Sequence, residues 1–313
     1  CKAHILSGKK VSIIEVGPRD GLQSEPEILD TETKVDFISR AIDAGIRRME
    51  VTSFVHPKRV PQMADAEAVI SALPKRDDVT YIGLVLNRKG FERARDAGID
   101  EIGMAVVASD TYNQRNQGVP TVESIKAWLE IARDAKAAGM RANVMVSSAF
   151  GCPFEGEVPL QRVLDIVDQI IEGEPVELGL ADSIGVGVPS QVTEMMGAVR
   201  ERIGDMPIRC HFHKTRNSGL ANAQAAVAAG VTSLDASIGG IGGCPFAPAA
   251  TGNIPTDDLL YLLDRSGVET GVDLEAIIET THWLEDRLGR GVPAMLPKAG
   301  IFPQVAEQYR AAS

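Results

Sequence analysis

Apolar and β-branched residues bunch into eight short runs, and longer stretches with helical spacing fill the gaps between them. The runs are VSIIEV (11–16), RRMEVTS (47–53), TYIGLVL (80–86), EIGMAVV (101–107), ANVMVSS (142–148), VELGLAD (176–182), IRCHFH (208–213) and TSLDASI (232–238). Each predicts a strand. TETKVDFISRAIDAGI (31–46) and TVESIKAWLEIARDAKAAGM (121–140) predict helices, with Gly45 and Gly139 placed as C-caps before the next strand. Gly98 and Gly230 repeat the device. Strand and helix alternating eight times predict an α/β fold, a single (β/α)8 TIM barrel. A doubly wound open sheet, usually of about five or six strands, would leave runs unassigned. No linker divides the chain, so one domain is expected over 1–313. The barrel would span about 11–265, and a C-terminal helical extension of about 266–313 would carry DLEAIIETTHWLEDRLG (273–289).

Composition narrows the partners. A hydrophobic content of 44% suits a well-buried core, and a net charge of −11, with acids spread over helical faces, argues against a nucleic-acid partner. No apolar run nears the ~20 residues that span a bilayer, and the opening CKAHILSGKK lacks the apolar stretch of a signal peptide. No membrane partner is expected. Cys1 in place of Met hints at a trimmed start. The four cysteines (Cys1, Cys152, Cys210, Cys244) form no C-x-x-C, so neither a disulfide framework nor a zinc ribbon is indicated, and a reducing cytoplasm is the expected compartment.

In such a barrel the chemistry gathers at the C-terminal ends of the strands. The first run leads into Arg19, Asp20 and Gln23, the second carries Glu50 and Ser53, the sixth ends at Asp182, and the seventh ends at His211 and His213. Side chains two apart on a strand share a face, so the two imidazoles project together while Cys210 and Phe212 turn to the helices. Two imidazoles at one strand end form half of a metal site. Asp20 can add a carboxylate and Asn253 an amide oxygen, a mixed nitrogen and oxygen set suited to Mg2+ or Mn2+. The glycine-rich stretch GGIGGCPFAPAATGN (239–253) reads as a lid that brings the Cys244 thiol to a substrate. Arg19, permanently cationic and forked, can hold the oxygen of a developing enolate.

Together the stretches EVGPRDGLQ, EVTSFVHPKRVPQMAD, GCPFEG, DSIGVGVP, HFH, GLANA, GGIGGCPFAPAATGN and TDDLLYLL, in this order from about 11 to 263, resemble the 3-hydroxy-3-methylglutaryl-CoA lyase family. The resemblance implies a metal-dependent retro-Claisen cleavage of an acyl-CoA substrate to acetyl-CoA and acetoacetate. It makes Asp20, His211, His213 and Asn253 the ligands of a divalent cation. Arg19 becomes the enolate stabiliser, Cys244 the loop thiol of proton transfer, and Glu50 and Asp182 active-site acids, with His211 or Asp182 as the base. A homodimer is also implied. HPKRVPQ (56–62) and NQRNQ (113–117) are candidate coenzyme A contacts. Arg19, Gln23, Ser53, Gly179 and Arg216 are candidate substrate contacts.

Two stretches depart from the family pattern. Lys214-Thr215-Arg216-Asn217 stands where the lyases carry Asp-Thr-Tyr-Gly, so Arg216 is expected to engage an acyl carboxylate or a coenzyme A phosphate. Gly179-Leu180-Ala181 stands for Ser-Leu-Gly, so Gly179 is expected to enlarge the acyl pocket. The acyl substrate can therefore differ, with citramalyl-CoA or a larger 3-substituted 3-hydroxyglutaryl-CoA as the alternatives. A Claisen synthase would share the barrel and the histidine pair but normally carries a C-terminal regulatory region. A binding protein that used the barrel as a scaffold would have no need of the whole constellation.

Overall fold

In a computed structural model, which describes residues 6–243 and 252–303, the eight runs form one closed, all-parallel barrel in sequence order. The strands are β1 (Ser12–Glu15), β2 (Arg48–Ser53), β3 (Thr80–Val85), β4 (Glu101–Val107), β5 (Arg141–Ser147), β6 (Leu178–Asp182), β7 (Ile208–Phe212) and β8 (Ser233–Ala236). Closure comes from β1 pairing with β8, Ile14 opposite Asp235. Local sequence starts and stops the helices between them. Asp30 caps the helix Thr31–Asp43 by accepting the Thr33 N–H at 2.8 Å, and Gly45, Gly98, Gly139 and Gly230 all take positive φ just past helix ends. The helix Leu274–Leu288 lies against Thr31–Asp43, with the Phe37 and Trp283 rings 6.0 Å apart. No described helix is long and apolar enough to cross a membrane.

The interior of this barrel is not the usual stack of branched aliphatics. Near the strand starts Arg48 pairs with Glu101 and Glu177 at 2.6 and 2.8 Å, and Asn143 donates to Glu101 at 2.6 Å. These groups close the N-terminal end with paired charge, leaving the C-terminal end open.

Glu15, on the outer face of β1 and fully buried, ties the loops that follow β1 and β8. It accepts the N–H groups of Gly17 (2.8 Å) and Ile238 (2.9 Å) and the Thr256 hydroxyl (2.6 Å). Burial pushes its pKa up to about 8 from 4.5, against the lowering effect of those hydrogen bonds. Across that interval the unfolded chain releases a proton that the folded chain keeps, so stability falls as pH rises, by up to about 1.4 kcal/mol per pH unit. The loss is complete above about pH 8. Glu15→Gln can keep both backbone hydrogen bonds on its Oε1 and donate from Nε2 to the Thr256 hydroxyl oxygen, and is expected to flatten that slope in urea unfolding. Wild type and E15Q with parallel stability profiles between about pH 5 and 8 would contradict it.

Candidate active site

The cleft opens at the C-terminal end of the barrel, encloses about 560 Å3, and reaches from Arg19, Asp20, His211 and His213 down to Gly103 and Asn143. Each side chain arrives there for a local reason. After β1 the chain makes one wide helical turn, Gly17–Gly21, in which the Gly21 N–H reaches back to the Val16 carbonyl at 3.1 Å. That turn presents Arg19 and Asp20 side by side. Strand β7 delivers His211 and His213 on the barrel side, and Cys210 packs outward against Met196. Past the glycine-rich stretch the chain returns to pair with the end of β7. Asn253 bridges His213, and the Ile254 N–H donates to the Phe212 carbonyl at 3.2 Å.

Asp20, His211 and His213 offer ligand atoms that all lie within 4.8 Å of one another, and the two imidazole Nε2 atoms face each other at 3.0 Å. His211 Nδ1 lies 2.9 Å from Asp235 Oδ2 on β8, an acceptor that places the proton on Nδ1 and leaves the Nε2 lone pair toward the cleft. Asn253 Nδ2 donates to Asp20 Oδ2 at 2.9 Å, while its Oδ1 is buried without a partner among the described residues. Two imidazole nitrogens and a carboxylate within reach of one another, with an orphaned amide oxygen on the residue that is hydrogen-bonded to that carboxylate, fit a cation.

Burial and neighbouring charges set the protonation of these groups. Burial works to raise the Asp20 pKa, but Arg19 first and then the two histidines and the Asn253 hydrogen bond bring it down to about 2. Burial and the neighbouring His211 push His213 down to about 3, so it is neutral. Burial also opposes a charge on His211, but Asp235 more than offsets it and the pKa is raised. Arg19 is clamped by its neighbours. Its Nε donates to Glu50 Oε2 at 2.7 Å, its Nη2 donates to the same oxygen, and its Nη1 donates to Asp20 Oδ1 at 2.6 Å. Three of its five N–H groups are thereby used.

Of the other predicted residues, Gln23 lines the cleft with its buried Oε1 unpaired among the described residues, and Glu50 lines it beneath Arg19. From the two candidate coenzyme A stretches, Arg59, Val60, Pro61, Gln62 and Asn116 reach the lining. Ser53, expected as a substrate contact, does not line the cleft; it is fully buried, its hydroxyl unpaired among the described residues. Cys244 lies outside the described residues, next to Gly243, which lines the cleft.

Three other expectations are corrected. Asp182 is opposite Phe212 in the sheet register, while Ala181 is opposite His211, so Asp182 faces the helices. There its carboxylate accepts the N–H groups of Val186 (3.0 Å) and Gly187 (2.8 Å) and shapes the loop after β6. Its pKa is raised by burial, and it does not line the cleft. Gly179 does not enlarge the pocket, because Met145 folds over it. A Cβ at that position would lie 2.9 Å from Met145 carbons. Arg216 is turned onto the carbonyls of Ile184 and Gly185 at 3.2 and 3.1 Å, away from the cleft lining.

Two residues that the structure joins to the predicted site went unread in the sequence: Asp235, which meets His211, and Arg209, which meets Asp235 and Glu50. Both were legible by the parity that paired the histidines: Arg209 precedes His211 by two residues, and Asp235 alternates with Leu234 and Ala236.

The HMGL-like family model matches residues 10–284. The chain is 42% identical over 306 residues to an (R)-citramalyl-CoA lyase of Chloroflexus aurantiacus, covering 94% of this chain and 96% of that protein. It is 39% identical over 286 residues to the hydroxymethylglutaryl-CoA lyase YngG of Bacillus subtilis, covering 91% and 96%. An HMG-CoA lyase structure from Acinetobacter baumannii, in complex with coenzyme A and 3-methylmalate, superposes with a TM-score of 0.92 at 36% identity, covering 95% and 97%.

Proposed function

The chain belongs to the HMGL-like family and is a lyase, and from that premise we propose that it cleaves 3-hydroxy-3-methylglutaryl-CoA to acetyl-CoA and acetoacetate with Mg2+ or Mn2+ bound. The observation that carries this reading is the convergence of Asp20, His211 and His213 beside the clamped Arg19 at the open end of the barrel. Asp20, His211, His213 and Asn253 Oδ1 would hold the cation, which when bound supplies a Lewis acid that acidifies a tertiary hydroxyl.

The protein's own groups account for the rest. Arg19 keeps two N–H groups in reserve and lines the cleft with its side chain only 12% exposed, so its charge acts on a developing thioester enolate with little water to screen it. With Asp182 turned away and the single His211 Nε2 lone pair given to the cation, neither of the two residues first considered as the base can take the hydroxyl proton. Asp235 on Nδ1 would orient the His211 ring and strengthen its Nε2 as a ligand. Cys244 remains the proposed proton donor to the enolate carbon.

A second reading, cleavage of citramalyl-CoA to acetyl-CoA and pyruvate, is favoured by the 42% identical relative and by Met145 narrowing the pocket where Gly179 had promised room. The substrates differ by one methylene, worth only about 1–3 kcal/mol of discrimination. Purified protein given each thioester with Mn2+ is expected to release acetyl-CoA with acetoacetate from one or pyruvate from the other. The larger kcat/KM decides between them, and no release from either would discard the lyase reading.

A further inference from the structure

Beneath the cleft a single guanidinium joins the two carboxylates on which the site rests. Arg209, 1% exposed, donates from Nε to Asp235 Oδ1 at 2.5 Å and from Nη2 to both Asp235 Oδ2 (2.9 Å) and Glu50 Oε1 (2.6 Å). Each carboxylate has a second task. Asp235 Oδ2 meets His211 Nδ1 at 2.9 Å, and Glu50 Oε2 accepts the Arg19 Nε–H at 2.7 Å. The result is one unbroken path across the barrel: Arg19, Glu50, Arg209, Asp235, His211.

We propose that Arg209 is a positioning residue which locks Glu50 and Asp235 in one arrangement and thereby sets Arg19 and His211 together. The terminal torsion of an aspartate is broad, so an unheld Asp235 could swing its oxygen away from His211. A two-pronged grip by a planar guanidinium removes that freedom. On the other arm, Glu50 is shared between two guanidiniums, and without Arg209 its Oε1 would be buried with no donor among the contacts described. Arg209 does not line the cleft, so it acts only through these partners. Its own Nη1 is buried with no partner among the described residues, so its place is set by the carboxylates rather than by completion of its own hydrogen bonding. Lysine would keep the charge but offers N–H groups from one nitrogen and cannot span both carboxylates in a plane.

The proposal rests on the lyase reading, and the test separates the two. Arg209→Lys is expected to remain folded by circular dichroism. Calorimetric titration should show Mn2+ binding weakened by about 10-fold, the low end of the cost of losing an outer partner of a ligand, here Asp235, which Arg209 holds. At saturating Mn2+, kcat counted per titrated metal site should fall by a similar factor while the KM for the thioester moves within about threefold. A merely structural role would lower the number of metal sites, not the affinity or rate of each. Arg209→Gln, which keeps a planar donor for one carboxylate and drops the charge, is expected to show the same two losses. Wild-type Mn2+ affinity or wild-type kcat in either folded variant overturns the proposal alone. A wild-type protein that binds no Mn2+ and cleaves neither thioester overturns the lyase reading and takes this proposal with it.

Discussion

Stripping divalent cations from the protein with EDTA is expected to abolish thioester cleavage, and excess Mn2+ or Mg2+ is expected to restore it. The expectation comes from atoms that otherwise lack a reason to be together. Two imidazole Nε2 atoms stand 3.0 Å apart and Asn253 Oδ1 is buried without a partner among the described residues. Asp20, kept ionised down to about pH 2, completes the set. His213→Ala isolates one corner of it, because His213 has no part in the hydrogen bond between Asp235 and His211. Loss of an outer partner alone typically weakens metal binding by about 10- to 100-fold, so loss of a direct ligand should weaken it by at least about 100-fold. Calorimetric titration of EDTA-treated wild type and H213A with Mn2+ measures this directly. Full turnover after exhaustive chelation, or equal Mn2+ affinity in H213A, would remove the cation from the account.

What the sequence made legible was whatever obeys a short period. Alternation along a strand put His211 and His213 on one face, and the eight apolar runs became eight barrel strands. The same alternation, applied across neighbouring strands, would have turned Asp182 away from the site. The register that sets Ala181 opposite His211 is a pairing between strands and cannot be read from one strand alone. Gly179 failed for a related reason. The space beside a glycine belongs to whichever side chain reaches it, and Met145 on β5 does so. Asn253 was named from its place after the glycine-rich stretch, but what brings it to His213 is a backbone bridge across forty residues of sequence. Arg209 and Asp235 were overlooked although parity exposes them, because a charged residue inside a barrel reads as an error in the apolar pattern until its partners are known.

Replacing Arg19 with methionine is expected to lower kcat by about 10²- to 10³-fold, the range found when a main donor to a developing oxyanion is lost, while the KM for the thioester changes little. The split follows from when the charge is needed. A ground-state thioester carbonyl carries little negative charge, and the enolate formed as the carbon–carbon bond breaks carries nearly a full one, so the guanidinium stabilises the later species. Its aim is fixed by Glu50, which takes Nε and Nη2, and by Asp20, which takes Nη1 at 2.6 Å. Arg19→Lys keeps the charge but not this three-point hold, and should recover only part of the lost rate. The partial reaction offers an independent reading: exchange of the acetyl-CoA methyl protons with D2O, followed by mass spectrometry, passes through the same enolate and needs no second product. R19M should lose that exchange in proportion to its loss of kcat. An R19M protein with wild-type kcat, normal exchange and only a raised KM would reduce Arg19 to a binding group and leave the enolate to be held by something else.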